Sequence, residues 1–292
     1  MSENKPSASK KKLLENPFIG SLVVPIAIVL IGALIVLGVT SMLSTDRSHR
    51  DLVREMESKT FGNRWIAAYE LSKLIATSSI PDKDIPWTVE RLNRVYRDSR
   101  DPRTKDFIIV SLGALQHVDS LELFADVLSR DEEDAEGNSL FHALVAVGSY
   151  PTDIDFDWSL VAKFLSSRDV GLRQAAVLTL ANHRVEEYQD EIEAQLHADS
   201  VGLRYSAAMG LIYFQNERAL GTLREILWRK PESSPNAPFD ARELLGLQMN
   251  VLGAVEKENW TVFEEILNEI SEESENQQLA LRAREILNRL KN

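Results

Sequence analysis

Asp169-Val-Gly-Leu-Arg173-Gln-Ala-Ala176-Val-Leu-Thr-Leu180 is followed by Ser200-Val-Gly-Leu-Arg204-Tyr-Ser-Ala207-Ala-Met-Gly-Leu211, and this near-repetition decides the fold. Val170, Gly171, Leu172 and Arg173 recur as Val201, Gly202, Leu203 and Arg204. Working outward, an earlier copy runs from Asp101-Pro-Arg-Thr-Lys105 through Phe107, Ile108 and Val110 to Leu112, and a first copy carries Arg64, Ala67, Ala68 and Leu71. With Leu71, Leu112, Ala146, Leu180 and Leu211 as equivalent points, the step is roughly 30–40 residues, the period of a helix-pair solenoid. No segment sustains the two-residue alternation of a strand, so the region reads as all-α.

Each copy places apolar residues at helical spacing, then a polar break, then a second amphipathic segment: Ile85–Tyr96, Leu121–Leu128, Leu160–Leu165, Tyr188–Leu196 and Leu220–Leu227. Neither helix of a pair buries its apolar face alone, whereas stacked pairs share a continuous core. The small residues Ala67, Ala175, Ala176, Ser206 and Ala207 fall where neighbouring helices approach. Asp101 before Pro102 predicts a capped helix start in which the carboxylate accepts orphan backbone donors, and Asp169 and Ser200 hold the same place. Between Trp228 and Asp240, Pro231, Pro235 and Pro238 forbid a regular helix and predict a protruding loop over 229–239. Helices near Ala241–Glu256, Trp260–Ile270 and Asn276–Leu290 then close the array as a cap.

These residues resemble HEAT repeats of the bacterial type also found in phycobilisome lyases, through the motif Asp-x-x-x-Arg-x-Ala-Ala-x-x-x-Leu at Asp169–Leu180 and, less fully, at Ser200–Leu211. The resemblance covers most of residues 60–230. It implies a structural ladder of aspartate and arginine along the stack, at the matching positions Asp169, Arg173 and Arg204. Lys105 replaces the arginine in the second copy, and the third, Glu136–Gly148, has neither. Such repeats serve many functions, so the likeness speaks to fold more than to activity.

Ahead of the array, Asn16–Thr45 holds no charged residue and Phe18–Leu43 is almost wholly apolar. As a helix that stretch spans ~39 Å, more than the ~30 Å hydrocarbon core of a bilayer. The sequence therefore predicts a short basic tail (1–16), one transmembrane helix (17–43), a juxtamembrane helical linker (44–60) and an α-solenoid (61–292). The run is too long for a cleaved leader, which favours an uncleaved signal-anchor. Lys10, Lys11 and Lys12 beside it place the tail in the cytoplasm and the solenoid outside it, in an inner membrane.

The formal charge of −12 makes a nucleic-acid partner a poor fit. The absence of cysteine excludes thiol catalysis, disulfides and thiolate zinc sites. No GxSxG, HExxH, P-loop or GxGxxG signature is present, so the chain is read as a non-enzyme without cofactor or metal. The five histidines are scattered; His183 and Glu187 lie four apart but straddle a turn. Glu132-x-Asp134-x-Glu136-Gly137 has the start of a calcium loop but Ala143 at its twelfth place, which reads as an acidic turn.

Two surfaces stand out as candidate partner contacts. Arg91, Arg94 and Arg97, spaced at three residues, form a basic helix stripe close to Arg100, Arg103 and Lys105. It reads either as a dock for an acidic partner or lipid headgroup, or as a solvated face paired with Asp98, Asp101 and Asp106. Trp228, followed by Arg229, Lys230 and the proline-rich loop, is the other. The leading expectation is a membrane-anchored scaffold, tethered through residues 18–43, that holds a protein partner on its solenoid. The alternatives are a lyase-type enzyme acting on a chromophore or other small molecule, and a membrane-anchored sensor.

Overall fold

The computed structural model describes residues 47–58, 64–77, 80–132, 137–232 and 239–290, and all regular structure among them is helical. The chain divides into two units, 1–51 and 52–292. Of the first, the described residues hold only the opening of helix α1 (His49–Glu57), where the Ser48 hydroxyl donates to the Asp51 carboxylate at 2.6 Å.

The second unit is a two-row stack. Even-numbered helices form one row: α2 (Arg64–Ala76), α4 (Pro102–Leu115), α6 (Ser139–Gly148), α8 (Val170–Asn182), α10 (Val201–Ile212), α12 (Ala241–Lys257) and α14 (Gln277–Leu290), each packed on the next. The odd-numbered helices α3 (Ile85–Asp98), α5 (Leu121–Ser129), α7 (Ser159–Ala162), α9 (Gln189–Ala194), α11 (Leu220–Trp228) and α13 (Glu264–Glu273) form the other. Helices α7 and α9 are shorter than the sequence reading has them, and continue as single 3-10 turns at Lys163–Ser166 and Gln195–His197. The core between the rows includes Leu71, Ile109, Leu112, Phe124, Val147, Phe164, Leu180, Leu211 and Leu252, all essentially inaccessible.

Local chemistry sets the helix ends. The Asp169 carboxylate accepts from the amides of Gly171 (2.7 Å) and Leu172, and the Ser200 hydroxyl accepts from Leu203. Asp240 and Glu243 bond each other's backbone amides, a full capping box on α12. Asp101 departs from the expectation: its carboxylate takes the Thr104 hydroxyl at 2.9 Å and Arg103 Nε rather than backbone amides. Burial alone would raise its pKa, but these two bonds, with the charge and the nearby backbone amide of Arg103, hold it below the usual carboxylate value.

Four of the turns from even to odd helices share a feature. Gln116, Arg184, Gln215 and Asn259 each adopt the left-handed conformation, φ between 48° and 51°. After three of these helices the next amide reaches back to close a six-residue loop: Val185 to Leu180 O, Asn216 to Leu211 O and Trp260 to Val255 O.

The even row is drawn tight by small residues. A Cβ built on Gly113 would lie 2.6 Å from the Ala146 Cβ and 3.0 Å from its Cα, one on Gly148 2.7 Å from Thr179 Oγ1, and one on Gly210 2.8 Å from the Ala181 Cβ. These contacts join α4 to α6, α6 to α8 and α8 to α10 in one register. Hydrogen bonds to carbonyls cross the first two of these joints. Ser149 Oγ donates to Gly113 O at 3.3 Å, Asn182 Nδ2 to Gly148 O at 2.8 Å and Thr179 Oγ1 to Leu144 O at 2.9 Å.

One expectation is corrected. The longest described helix, α12, has 17 residues, about 25 Å, and carries a polar face, so it falls short of a bilayer. Among the described residues no helix is long and apolar enough to cross a membrane. The single-pass localisation, with tail in the cytoplasm and solenoid outside, is accordingly withdrawn. The stretch 17–43 on which it rested, and the Asn16-Pro17 start, lie outside the described residues, as do 133–136 of the acidic turn and 233–238 of the proline-rich loop.

Candidate functional site

The basic stripe lies on α3, and each of its arginines has an acidic neighbour. Arg91 Nη1 binds Glu57 at 2.7 Å, Arg94 binds Glu90 at 2.8 Å one turn back, and Arg97 faces Glu122 at 3.9 Å. Of the acids expected from sequence, Asp101 joins a pair among the described residues, with Arg103. Arg91 also lies over the Trp87 ring and Arg103 over Trp65. The outer pairs are well exposed, where an ion pair contributes little, so Arg94 and Arg97 can exchange partners at small cost.

Trp228, Arg229 and Lys230 separate into different roles. Gln248 of α12, buried, donates Nε2 to the carbonyls of Ile226, Leu227 and Arg229 at 3.0–3.2 Å and so closes the end of α11. Arg229 turns inward: it donates to the Tyr205 hydroxyl at 2.9 Å and to Glu232 at 2.6 Å. Tyr205 in turn donates to Glu225 at 2.6 Å and stacks on Phe239, ring centroids 5.6 Å apart at 7°. Burial, then the Glu225 bond, push the Tyr205 phenol up, keeping it a neutral donor. Arg229 thus fastens the base of the loop, while Trp228 is 38% exposed under the Arg224 guanidinium and Lys230 reaches Glu275 at 2.9 Å.

The three ladder positions are not joined by an ion pair among the described residues. Asp169 caps α8, while Arg204 folds back to donate Nη1 to the carbonyls of Ala198 (3.0 Å) and Asp199 (3.2 Å). Arg64 does the same to Ser58 O, six residues before it. Arg173 makes no such bond, and its Nε is buried without a partner. His183 sits at an inter-repeat joint, with Nε2 3.0 Å from Val147 O and its ring 4.5 Å from Trp158. Burial lowers its pKa, so it is the neutral imidazole that bonds Val147.

A fourth surface was missed in the sequence reading. Tyr69 on α2, Val110 on α4, Val145 on α6 and Leu178 on α8 occupy one register position, directly after a buried pair, and all are at least 40% exposed. Phe141 adds to the same face of α6, and Met209 holds the position on α10 half-buried. Charge is sparse from the middle of α4 onward, whereas on α2 the Lys73 ammonium lies over the Tyr69 ring. Helix α6 has no charged residue, α8 only Arg173, α10 only Arg204, and residues 107–115 and 244–255 have none. In a chain with 27% charged residues this is a selective depletion, and depletion of charge is the mark of an interface centre.

The comparisons with known proteins bear on the fold. No protein-family model matches the chain, and no curated protein matches its sequence. Solved structures do. The complex of CpcE and CpcF of phycocyanin lyase from Nostoc sp. PCC7120 is similar at TM-score 0.55 and 14% identity, over 83% of this chain and 94% of that one. The Escherichia coli protein YibA is similar at TM-score 0.50 and 15% identity, over 85% and 84%. At these identities the likeness shows the architecture alone: the described unit has the fold of HEAT-like helical repeat proteins.

Proposed function

We propose that the solenoid is a protein-binding scaffold whose partner seats an apolar face across the charge-poor surface of α4, α6 and α8, with Tyr69 of α2 at its edge. The observation that carries this is the stripe Tyr69, Val110, Val145 and Leu178, aligned on consecutive helices and exposed to solvent. Monomeric surfaces rarely offer a contiguous apolar patch of this kind without a use for it, and stacked repeats present long binding surfaces. The complex between CpcE and CpcF supplies a precedent for chains of this architecture assembling with another protein. The pairs of Arg94 and Arg97 and the exposed edge of Trp228 suit the rim of such a contact, where partners exchange ion pairs.

The test is crosslinking in intact cells, then purification and identification of whatever accompanies the full chain. Val145→Asp with Leu178→Asp should remove a stoichiometric partner while leaving thermal unfolding near that of the parent. Recovery of the same partner at the same yield overturns the reading. A second reading, a lyase-type enzyme, is favoured by the likeness to phycocyanin lyase. Colour retained by the protein after purification from chromophore-producing cells would favour it over the scaffold.

A further inference from the structure

Arg173 and Arg204 hold the same place in two copies of one sequence motif, Val-Gly-Leu-Arg, yet they end differently. Arg204 is satisfied by two backbone carbonyls. Among the described residues the Arg173 guanidinium has no hydrogen bond or ion pair, and it supplies the only guanidinium nitrogen there that is buried without a partner. An unsatisfied buried donor on a charged group is costly, and native proteins leave few of them. The carbonyls that would repeat the Arg204 arrangement follow Ser167, a segment turned to other uses: the Ser167 hydroxyl donates to Glu132 at 2.9 Å and accepts from the Asp169 amide at 3.0 Å.

Arg173 instead lines a cavity of about 400 Å³ between α8 and the approach to α10, walled also by Gln195, His197, Asp199 and Ser200. From these observations we infer that the cavity is a carboxylate-binding site with Arg173 as its cation. A guanidinium presents paired donors whose spacing matches the two oxygens of a carboxylate. Gln195 and His197 offer further polar groups at the wall, and the Asp199 carboxylate at the rim opposes a dianion. A singly charged carboxylate, as on an acidic side chain or a chain terminus of a partner, is therefore the ligand that the charges fit. The site stands apart from the apolar stripe and holds whether or not a partner docks there.

The buried Nε–H of Arg173 gives a direct probe, because shielding from water slows its exchange enough for proton–nitrogen NMR of the full chain. Titration with sodium acetate should move that one signal saturably, and sodium chloride at equal ionic strength should not. Arg173→Lys should weaken the acetate response of the neighbouring Gln195 and Ser200 amides by about tenfold, since lysine cannot bond both oxygens. Arg204→Gln serves as the control for a structural effect: it should lower the unfolding temperature and leave acetate binding intact, whereas Arg173→Gln should abolish binding with little thermal change. An equal shift with chloride, or no saturation with acetate, overturns the site. Tighter binding of inorganic phosphate than of acetate overturns the carboxylate assignment. A thermal loss from Arg173→Gln as large as that from Arg204→Gln makes Arg173 structural and overturns the inference as well.

Discussion

The joints from α4 to α10 and the joints from α10 to α14 hold the same kind of stack together by different chemistry. In the first region small residues meet closely, Gly113 against Ala146, Gly148 against Thr179 and Gly210 against Ala181, and neutral side chains bond carbonyls across the α4–α6 and α6–α8 joints. In the second, which follows the proline-rich loop, Gly246 and Gly253 of α12 meet nothing within 4 Å. Charged groups do the joining there: Arg184 with Glu258, Arg224 with Glu269, and Arg282 and Arg289 with Glu256. Close packing depends on shape and is indifferent to salt, whereas ion pairs at partly exposed joints depend on charge and weaken as salt screens them. The two halves of the stack should therefore fail under different insults.

The largest effect should come from shape. Gly113→Ala puts a methyl group on the Ala146 backbone, so α4 and α6 must separate; overpacking of this kind costs typically 1–3 kcal/mol. We expect a net loss of about 2 kcal/mol in urea unfolding, despite the better helix propensity of alanine. Gly253→Ala, with open space around it, should gain up to about 1 kcal/mol from that same propensity. Opposite signs in the two regions would confirm the contrast, and a neutral Gly113→Ala would break it.

A smaller effect should come from charge. Glu258 is 8% exposed, takes Arg184 Nη2 at 2.6 Å on one oxygen and leaves the other oxygen without a partner. Its backbone carbonyl also accepts from Gln215 at 2.8 Å, so three repeats meet at this residue. Arg184→Ala strands the carboxylate; because the arginine is half exposed, we expect about 1–2 kcal/mol rather than the 3–5 of a fully buried pair. Half a molar salt should narrow the gap between parent and variant, while leaving the penalty of Gly113→Ala unchanged.

Much of this architecture was legible in the sequence, and the parts that were not have physical reasons. The Val-Gly-Leu-Arg copies exposed the repeat, and Asp169 and Ser200 announced their helices because capping is a local bond. The left-handed turns were hidden because Gln116, Arg184, Gln215 and Asn259 stand where a glycine would have flagged them. Arg229 looked like a surface cation because its partner Tyr205 lies on the other helix of the pair, too far along the chain for a local spacing rule to connect them. The apolar stripe was absorbed into the core because even-row helices are apolar on two faces, and spacing alone does not say which face meets water. Aligning the copies by their buried pairs would have found it, since Tyr69, Val110, Val145 and Leu178 then share one place.

The smallest effect we expect is a pH dependence confined to the neutral joint between α6 and α8. Burial lowers the pKa of His183 from 6.5, against the opposing pull of its bond to Val147. The unfolded chain therefore binds a proton more readily than the folded one as the solution is acidified. Stability from this group is complete above the unfolded value near 6.5 and is lost as pH falls through the folded one. His183→Gln can still donate to the Val147 carbonyl but does not titrate. Its stability should fall less than that of the parent between pH 7.5 and pH 5.5, in urea unfolding at fixed ionic strength. Parallel losses in the two proteins would show that the α6–α8 joint does not sense protons, and that the acid sensitivity of the stack lies in groups other than His183.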